Sequence, residues 1–137
     1  MNNALVMLLV EDNLADIVFS QEALEATQTP ATLHVVGHGA DAMQFLRRQG
    51  PYATSPRPDV VVLDLNLPVK NGQEVLLEIA ADAELRTLPV AILTTSTSEK
   101  HLCEIYPCGR CLYFTKTADF GELQKIIRNI EALARAA

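Results

Sequence analysis

Unbroken apolar runs recur along this chain, and each leads into a stretch of helical periodicity. The first is Leu5-Val6-Met7-Leu8-Leu9-Val10. A run without polar alternation reads as a strand buried on both faces, as in a parallel sheet covered by helices. Ala4 to Val10 is therefore the first predicted strand, and Glu11-Asp12-Asn13 ends it. A helix follows from Ala15 to Ala26, before the Thr27-Gln28-Thr29-Pro30 breaker. Thr32 to Val36 is a second strand, and Gly37 to Arg48 a helix with Ala42, Phe45 and Leu46 facing inward. Gly50 to Pro58, rich in proline, serine and threonine, is a loop.

The third strand lies in Asp59-Val60-Val61-Val62-Leu63-Asp64-Leu65-Asn66-Leu67-Pro68 and places Asp64 at its carboxyl end. Pro68 and Asn71-Gly72 turn the chain into a helix whose inner face is Val75, Leu76, Ile79, Ala80 and Ala83. Pro89 to Leu93 is the fourth strand, and Thr94-Thr95-Ser96-Thr97-Ser98 leaves it. A short fourth helix from Ser98 to Ile105 stops near Pro107. Cys111 to Thr115 is the fifth strand, ended by Lys116. Asp119 caps a fifth helix with Phe120, Leu123, Ile126, Ile127, Ile130 and Leu133 on its buried stripe.

Five strand-helix units in succession predict an α/β fold, since right-handed crossovers build one parallel sheet with helices on both faces. The flavodoxin-like strand order 2-1-3-4-5 is the expected arrangement. A length of 137 residues suits a single domain. A net charge of −6 with no basic cluster argues against nucleic-acid binding. No stretch is apolar for long enough to span a bilayer, and the start lacks the pattern of a signal peptide, so a cytoplasmic protein is expected. Reduced thiols are expected for Cys103, Cys108 and Cys111. Cys108-Gly109-Arg110-Cys111 has redox spacing, but it precedes a late strand rather than opening a helix, and it lacks the further ligands of a zinc site.

The chemistry converges on one sheet edge. Glu11 and Asp12 leave the first strand, Asp64 the third and Lys116 the fifth. Parallel strands present their carboxyl ends together, where ligands of open α/β sheets bind. Carboxylates so close repel one another unless a cation sits among them, and hard oxygen donors suit Mg²⁺. With its charge offset, Asp64 could attack a phosphoryl group, whose oxygens would meet Lys116, the metal and the Thr94 hydroxyl. Taken singly, Glu11 and Asp12 could merely cap a helix, and Thr94 could belong to a local turn.

The combination of Val10-Glu11-Asp12-Asn13, Leu63-Asp64-Leu65-Asn66-Leu67-Pro68 with Gly72, Leu93-Thr94-Thr95 and Tyr113-Phe114-Thr115-Lys116 resembles the receiver domains of bacterial two-component response regulators. The likeness covers essentially the whole chain. It implies a single receiver domain over residues 1–137 with no output domain, and a phospho-accepting switch rather than an enzyme. Asp64 would take phosphate from a histidine kinase, while Glu11, Asp12, Asp64 and the Asn66 backbone carbonyl would hold Mg²⁺. Thr94, Thr95 and Lys116 would bind the phosphoryl group, and Thr94 with Tyr113 would relay the change to the surface of the fourth helix, fifth strand and fifth helix. Thr117 follows Lys116 where most such domains carry a cis proline, so a trans bond is expected. The Asp12-Asn13 start with Ala15-Asp16, the long loop before Asp59 and the Lys116-Thr117 step resemble small stand-alone regulators paired with phytochrome-type kinases.

Three other readings compete. A phosphohydrolase of the haloacid dehalogenase type needs a second Asp two residues after its nucleophile, and Asn66 cannot serve as general acid. Flavin binding lacks a phosphate loop after the first strand, where Glu11-Asp12 would repel the phosphate. An inert scaffold is at odds with the complete acidic and lysine set. Finally, Ile126, Leu133, Ala132 and Ala136, with Tyr106, Cys111 and Leu112, suggest an apolar face for a two-fold homodimer.

Overall fold

A computed structural model describes residues 4–106 and 110–136. Its elements are β1 (Leu5–Val10), α1 (Leu14–Ala26), β2 (Ala31–Val36), α2 (Gly39–Arg47), a 3-10 turn (Gly50–Tyr52), β3 (Val60–Leu63), α3 (Gly72–Ala81), β4 (Val90–Thr94), a 3-10 helix (Lys100–Ile105), β5 (Cys111–Thr115) and α4 (Phe120–Ala136). The five strands are parallel, in the order β2-β1-β3-β4-β5. Topology and strand positions are as the apolar runs predict.

Alternate residues of each central strand serve opposite faces, which is why neither face could be polar. Leu8, Val10, Val61, Leu63, Val90 and Ile92 pack under α2 and α3 with Phe45, Leu76 and Ile79. Leu5, Met7, Leu9, Val60, Val62 and Leu93 pack under α1 and α4 with Leu24, Leu123, Ile127 and Ile130. The helices start where side chains satisfy their free N–H groups. Asn13 accepts from the Asp16 N–H at 3.1 Å, and Asp119 accepts from Glu122 N–H at 3.0 Å. Asn71 and Glu74 form a reciprocal capping box at α3.

Four local expectations need correction. The predicted fourth helix forms as the 3-10 helix Lys100–Ile105, which has no side-chain cap and is too short to recover the cost of α-helix nucleation. The last α-helix is therefore α4 here. Ala83 lies beyond the end of α3 and is exposed; Leu85 fills the core instead. Phe120 is 38% exposed, because the first turn of α4 meets α1, where its ring lies 5.8 Å from that of Phe19. Cys103 and Cys111 form a disulfide with Cα atoms 5.2 Å apart, against the expectation of free thiols. Packing of the Lys100–Ile105 helix on β5 brings them together, a proximity that no sequence spacing reveals. Cys108, and with it the C-x-x-C motif, lies outside the described residues, as does Pro107.

No peptide among the described residues is cis, including the Lys116-Thr117 bond. No helix among them is long and apolar enough to cross a membrane.

Gly72 fixes the approach of α3 to β3. Its N–H donates to the Leu65 carbonyl at 3.0 Å, and a Cβ there would sit 2.1 Å from the Asp64 carbonyl oxygen. A side chain would have to push backbone away from the strand end that carries Asp64. Gly72→Ala should therefore lose about 1–3 kcal/mol of stability by urea denaturation. Gly37→Ala is the control: its added Cβ meets nothing within 4 Å, so the change should stay within about 0.5 kcal/mol.

Candidate functional site at the carboxyl edge of the sheet

The β1–β3 pairing aligns Val10 with Leu63, so the residues that follow, Glu11 and Asp64, emerge side by side. Their backbones stay linked to the sheet: the Asp64 N–H donates to the Val10 carbonyl at 3.1 Å, and the Glu11 N–H to that of Val36 at 3.0 Å. Glu11, Asp12 and Asp64 each present a carboxylate oxygen within 4.8 Å of the others. Glu11 and Asp64 are 3% and 5% exposed, whereas Asp12 faces solvent.

Lys116 comes from beyond β5 and answers this charge. Its N–H donates to the Thr94 carbonyl at 2.7 Å, which fixes where the side chain sets out. The ammonium then donates to Glu11 Oε1 at 2.7 Å, Asp16 Oδ2 at 2.8 Å and Asp64 Oδ2 at 3.0 Å. The other oxygen of Glu11 accepts from the N–H groups of Asp12 and Asn13, both at 3.1 Å. Burial raises the Glu11 pKa above the usual carboxylate value, against the pull of the Lys116 bond and the Asn13 N–H; the nearby Asp64 charge adds to the rise. Burial alone would lower the Lys116 pKa, but its bonds to Asp16, Glu11 and Asp64 outweigh burial and hold it above the ordinary lysine range.

The remaining predicted residues are placed less uniformly. Asn66 is exposed, and its N–H donates to Asp64 Oδ1 at 3.1 Å, fixing the carboxylate rotamer. Thr94 is fully buried at the end of β4, and its hydroxyl accepts from the Ser96 N–H at 3.4 Å. Thr95 is exposed and lines an open cleft with Asp16, Phe19, Lys116 and Thr117. Tyr113 is half-buried and donates its hydroxyl to the Ser96 carbonyl at 2.5 Å. Val69 in the loop after Asp64 has φ of 66°, a left-handed conformation that strains a β-branched residue.

Asp16 is the site residue that sequence reasoning missed. Its place in the first turn of a helix has an ordinary explanation, charge complementing the helix dipole. Only the fold brings it within reach of a lysine 100 positions later.

Chemically, three oxygen-donating acids with water access on the Asp12 side fit a hard divalent cation. Asp64 is the acid that combines burial, a fixed rotamer and contact with the ammonium. This set can hold a metal and present one carboxylate oxygen as a nucleophile.

Comparison with known proteins agrees with this geometry. The family model described as the response regulator receiver domain matches residues 7–128. Response regulator Rcp1 of Synechocystis sp. is 42% identical over 127 residues, spanning 93% of this chain and 86% of that protein. Among solved structures, the phosphorylated cyanobacterial phytochrome response regulator RcpA is 43% identical with a TM-score of 0.81, covering 94% of this chain and 92% of its own. The Mn²⁺-bound form of Rcp1 is 41% identical with a TM-score of 0.80, covering 93% and 92%.

Removal of the ammonium tests the electrostatic account. Lys116→Met strands two buried carboxylates and should cost about 3 kcal/mol at pH 7 by urea denaturation. Because the Glu11 pKa is raised in the folded state, the native protein takes up that proton before the unfolded chain does. Stability linked to Glu11 therefore rises as pH falls through its folded pKa, and the deficit of the variant relative to the parent should shrink on acidification.

Proposed function

This chain belongs to the response regulator receiver family of two-component signalling, and on that premise we propose that Asp64 is its phosphoacceptor. The observation that carries the reading is the contact of buried Asp64 with both the Lys116 ammonium and the acidic cluster. An Asp64 oxygen attacks phosphorus, the bond from phosphorus to the donor nitrogen of a kinase phosphohistidine breaks, and that nitrogen keeps the electron pair. The acyl phosphate stays on Asp64. Lys116 and the Thr94 hydroxyl meet the phosphoryl oxygens, and Thr95 can approach from the exposed cleft. Glu11, Asp12, Asp64 and the Asn66 carbonyl hold Mg²⁺, which when bound neutralises the carboxylates and the incoming phosphoryl oxygens. The chain thereby assists its own phosphorylation and the later hydrolysis, without turning over a substrate of its own.

The output runs through Thr94. Its hydroxyl sits on the Ser96 N–H, and the Ser96 carbonyl holds Tyr113. Drawing Thr94 toward a phosphoryl group shifts that loop and the Tyr113 rotamer, and so biases the surface of the Lys100–Ile105 helix, β5 and α4 between two states. The likeness to the cyanobacterial phytochrome response regulator RcpA supports a phytochrome-type histidine kinase as the donor.

The same surface is our proposed homodimer face, in a reduced form. Tyr106 and Cys111 are buried, the former donating its hydroxyl to the Leu88 carbonyl, so neither contributes. Half-buried Ile126 and Leu133 and exposed Ala132 and Ala136 on α4, with Leu112 on β5, remain for a self-complementary contact.

Three measurements test these assignments. Radiolabel from acetyl phosphate should enter the parent protein and not Asp64→Asn, which should keep its fold by circular dichroism; labelling of that variant would refute the acceptor. Millimolar Mg²⁺ should stabilise the parent by about 2–3 kcal/mol if it exceeds the dissociation constant about 100-fold. Asp12→Ala should gain distinctly less, while being no less stable without metal. Light scattering at tens of micromolar, before and after phosphorylation, should give a particle of twice 15.0 kDa; a 15.0 kDa particle in both states would refute the dimer and leave the acceptor untouched.

A further inference from the structure

We propose that Asp16 is a positioning residue that takes up part of the Lys116 charge and thereby limits how tightly the site holds a phosphoryl group. The inference rests on the reading of Asp64 as the acceptor. An ammonium has three N–H donors. In Lys116 all three are committed to carboxylates: Glu11 at 2.7 Å, Asp16 at 2.8 Å and Asp64 at 3.0 Å. Two of these partners are buried, with side chains 4% and 6% exposed, but the side chain of Asp16 is 41% exposed. Asp16 also stands apart from the acids whose oxygens cluster within 4.8 Å. It draws on the lysine without belonging to the metal set.

A phosphoryl group adds negative charge and oxygens that seek the same ammonium. Every donor of Lys116 is occupied beforehand, so that contact must be made in competition. Glu11 and Asp64 suffice to keep the lysine in place when Asp16 is removed, because both are anchored by backbone N–H groups. Removal therefore frees one donor and deletes one repelling charge, and phosphoryl binding strengthens. A divalent cation responds differently: with one carboxylate fewer nearby and the lysine charge less neutralised, its affinity does not rise. A residue that only supported the local structure would weaken both kinds of binding when lost.

Fluoroberyllate, which mimics a phosphoryl group on a carboxylate, provides the probe. It is titrated calorimetrically into Mg²⁺-saturated parent, Asp16→Asn, Asp16→Ala and Asp16→Glu, and Mg²⁺ alone is titrated into each in parallel. The Asn and Ala variants should bind fluoroberyllate about 2- to 5-fold more tightly, as expected for a partly exposed charge. Their Mg²⁺ affinity should be equal or lower, and Asp16→Glu should return toward parental values. Equal or weaker fluoroberyllate binding by both neutral variants, with the parent binding normally, overturns this inference alone. A parent that binds no fluoroberyllate overturns the acceptor reading as well.

Discussion

The carboxyl edge of this sheet depends on one ammonium. Neighbouring strands are separated by about 4.8 Å, and β4 stands between β5 and β3. A cation at the end of β5 must reach across an intervening strand to meet Asp64 and Glu11. Lysine has the length, and the bond from its N–H to the Thr94 carbonyl sets its direction. Without it, two carboxylates buried beside dry structure would face each other unpaired, a costly arrangement. The opposing effects on Glu11 record that balance: burial raises its pKa, and the Lys116 bond pulls it back. Lys116 thus makes a concentration of negative charge tolerable, and that charge is what a divalent cation and a phosphoryl-accepting carboxylate require.

The same edge is joined to the surface by a short chain of hydrogen bonds. Thr94 is fully buried, its backbone carbonyl holds Lys116, and its hydroxyl accepts from Ser96. Ser96 in turn holds the Tyr113 hydroxyl. Close-packed interiors do not deform gradually. On the proposed reading, a displacement at Thr94 would be relieved by the exposed loop that follows β4, and Tyr113 is the side chain attached to that loop. Asp16 belongs to the opposite flank of the ammonium, where helix α1 enters the site from solvent.

Packing also narrows what the remaining surface can do. The disulfide from Cys103 to Cys111 and the hydroxyl bond from Tyr106 to the Leu88 carbonyl fasten the Lys100–Ile105 helix against the sheet edge. Side chains that look available for a partner are spent on this attachment. What α4 leaves partly open is a narrower strip, with Leu123, Ile127 and Ile130 turned into the core.

The sequence by itself determined the strands, their parallel arrangement and the charged residues that gather at the carboxyl edge of the sheet. Each of those follows from local composition: unbroken Val and Leu runs must be buried on both faces, and a charged residue ending such a run must lie at the sheet edge. Glu11, Asp64 and Lys116 were legible for that reason, and Asp119 as a helix start by its capping chemistry. Thr95 leaves β4 exposed beside buried Thr94 and lines the open cleft that Lys116 also borders, because successive residues leaving a strand point in opposite directions. Tertiary structure alone decided the rest. Asp16 meets Lys116, Cys103 meets Cys111, and Phe120 turns toward Phe19 rather than the sheet. The physical reason is common to all three: these contacts join elements whose side-chain directions are fixed only once helices have docked on the sheet, and no local periodicity encodes which neighbour a helix will face.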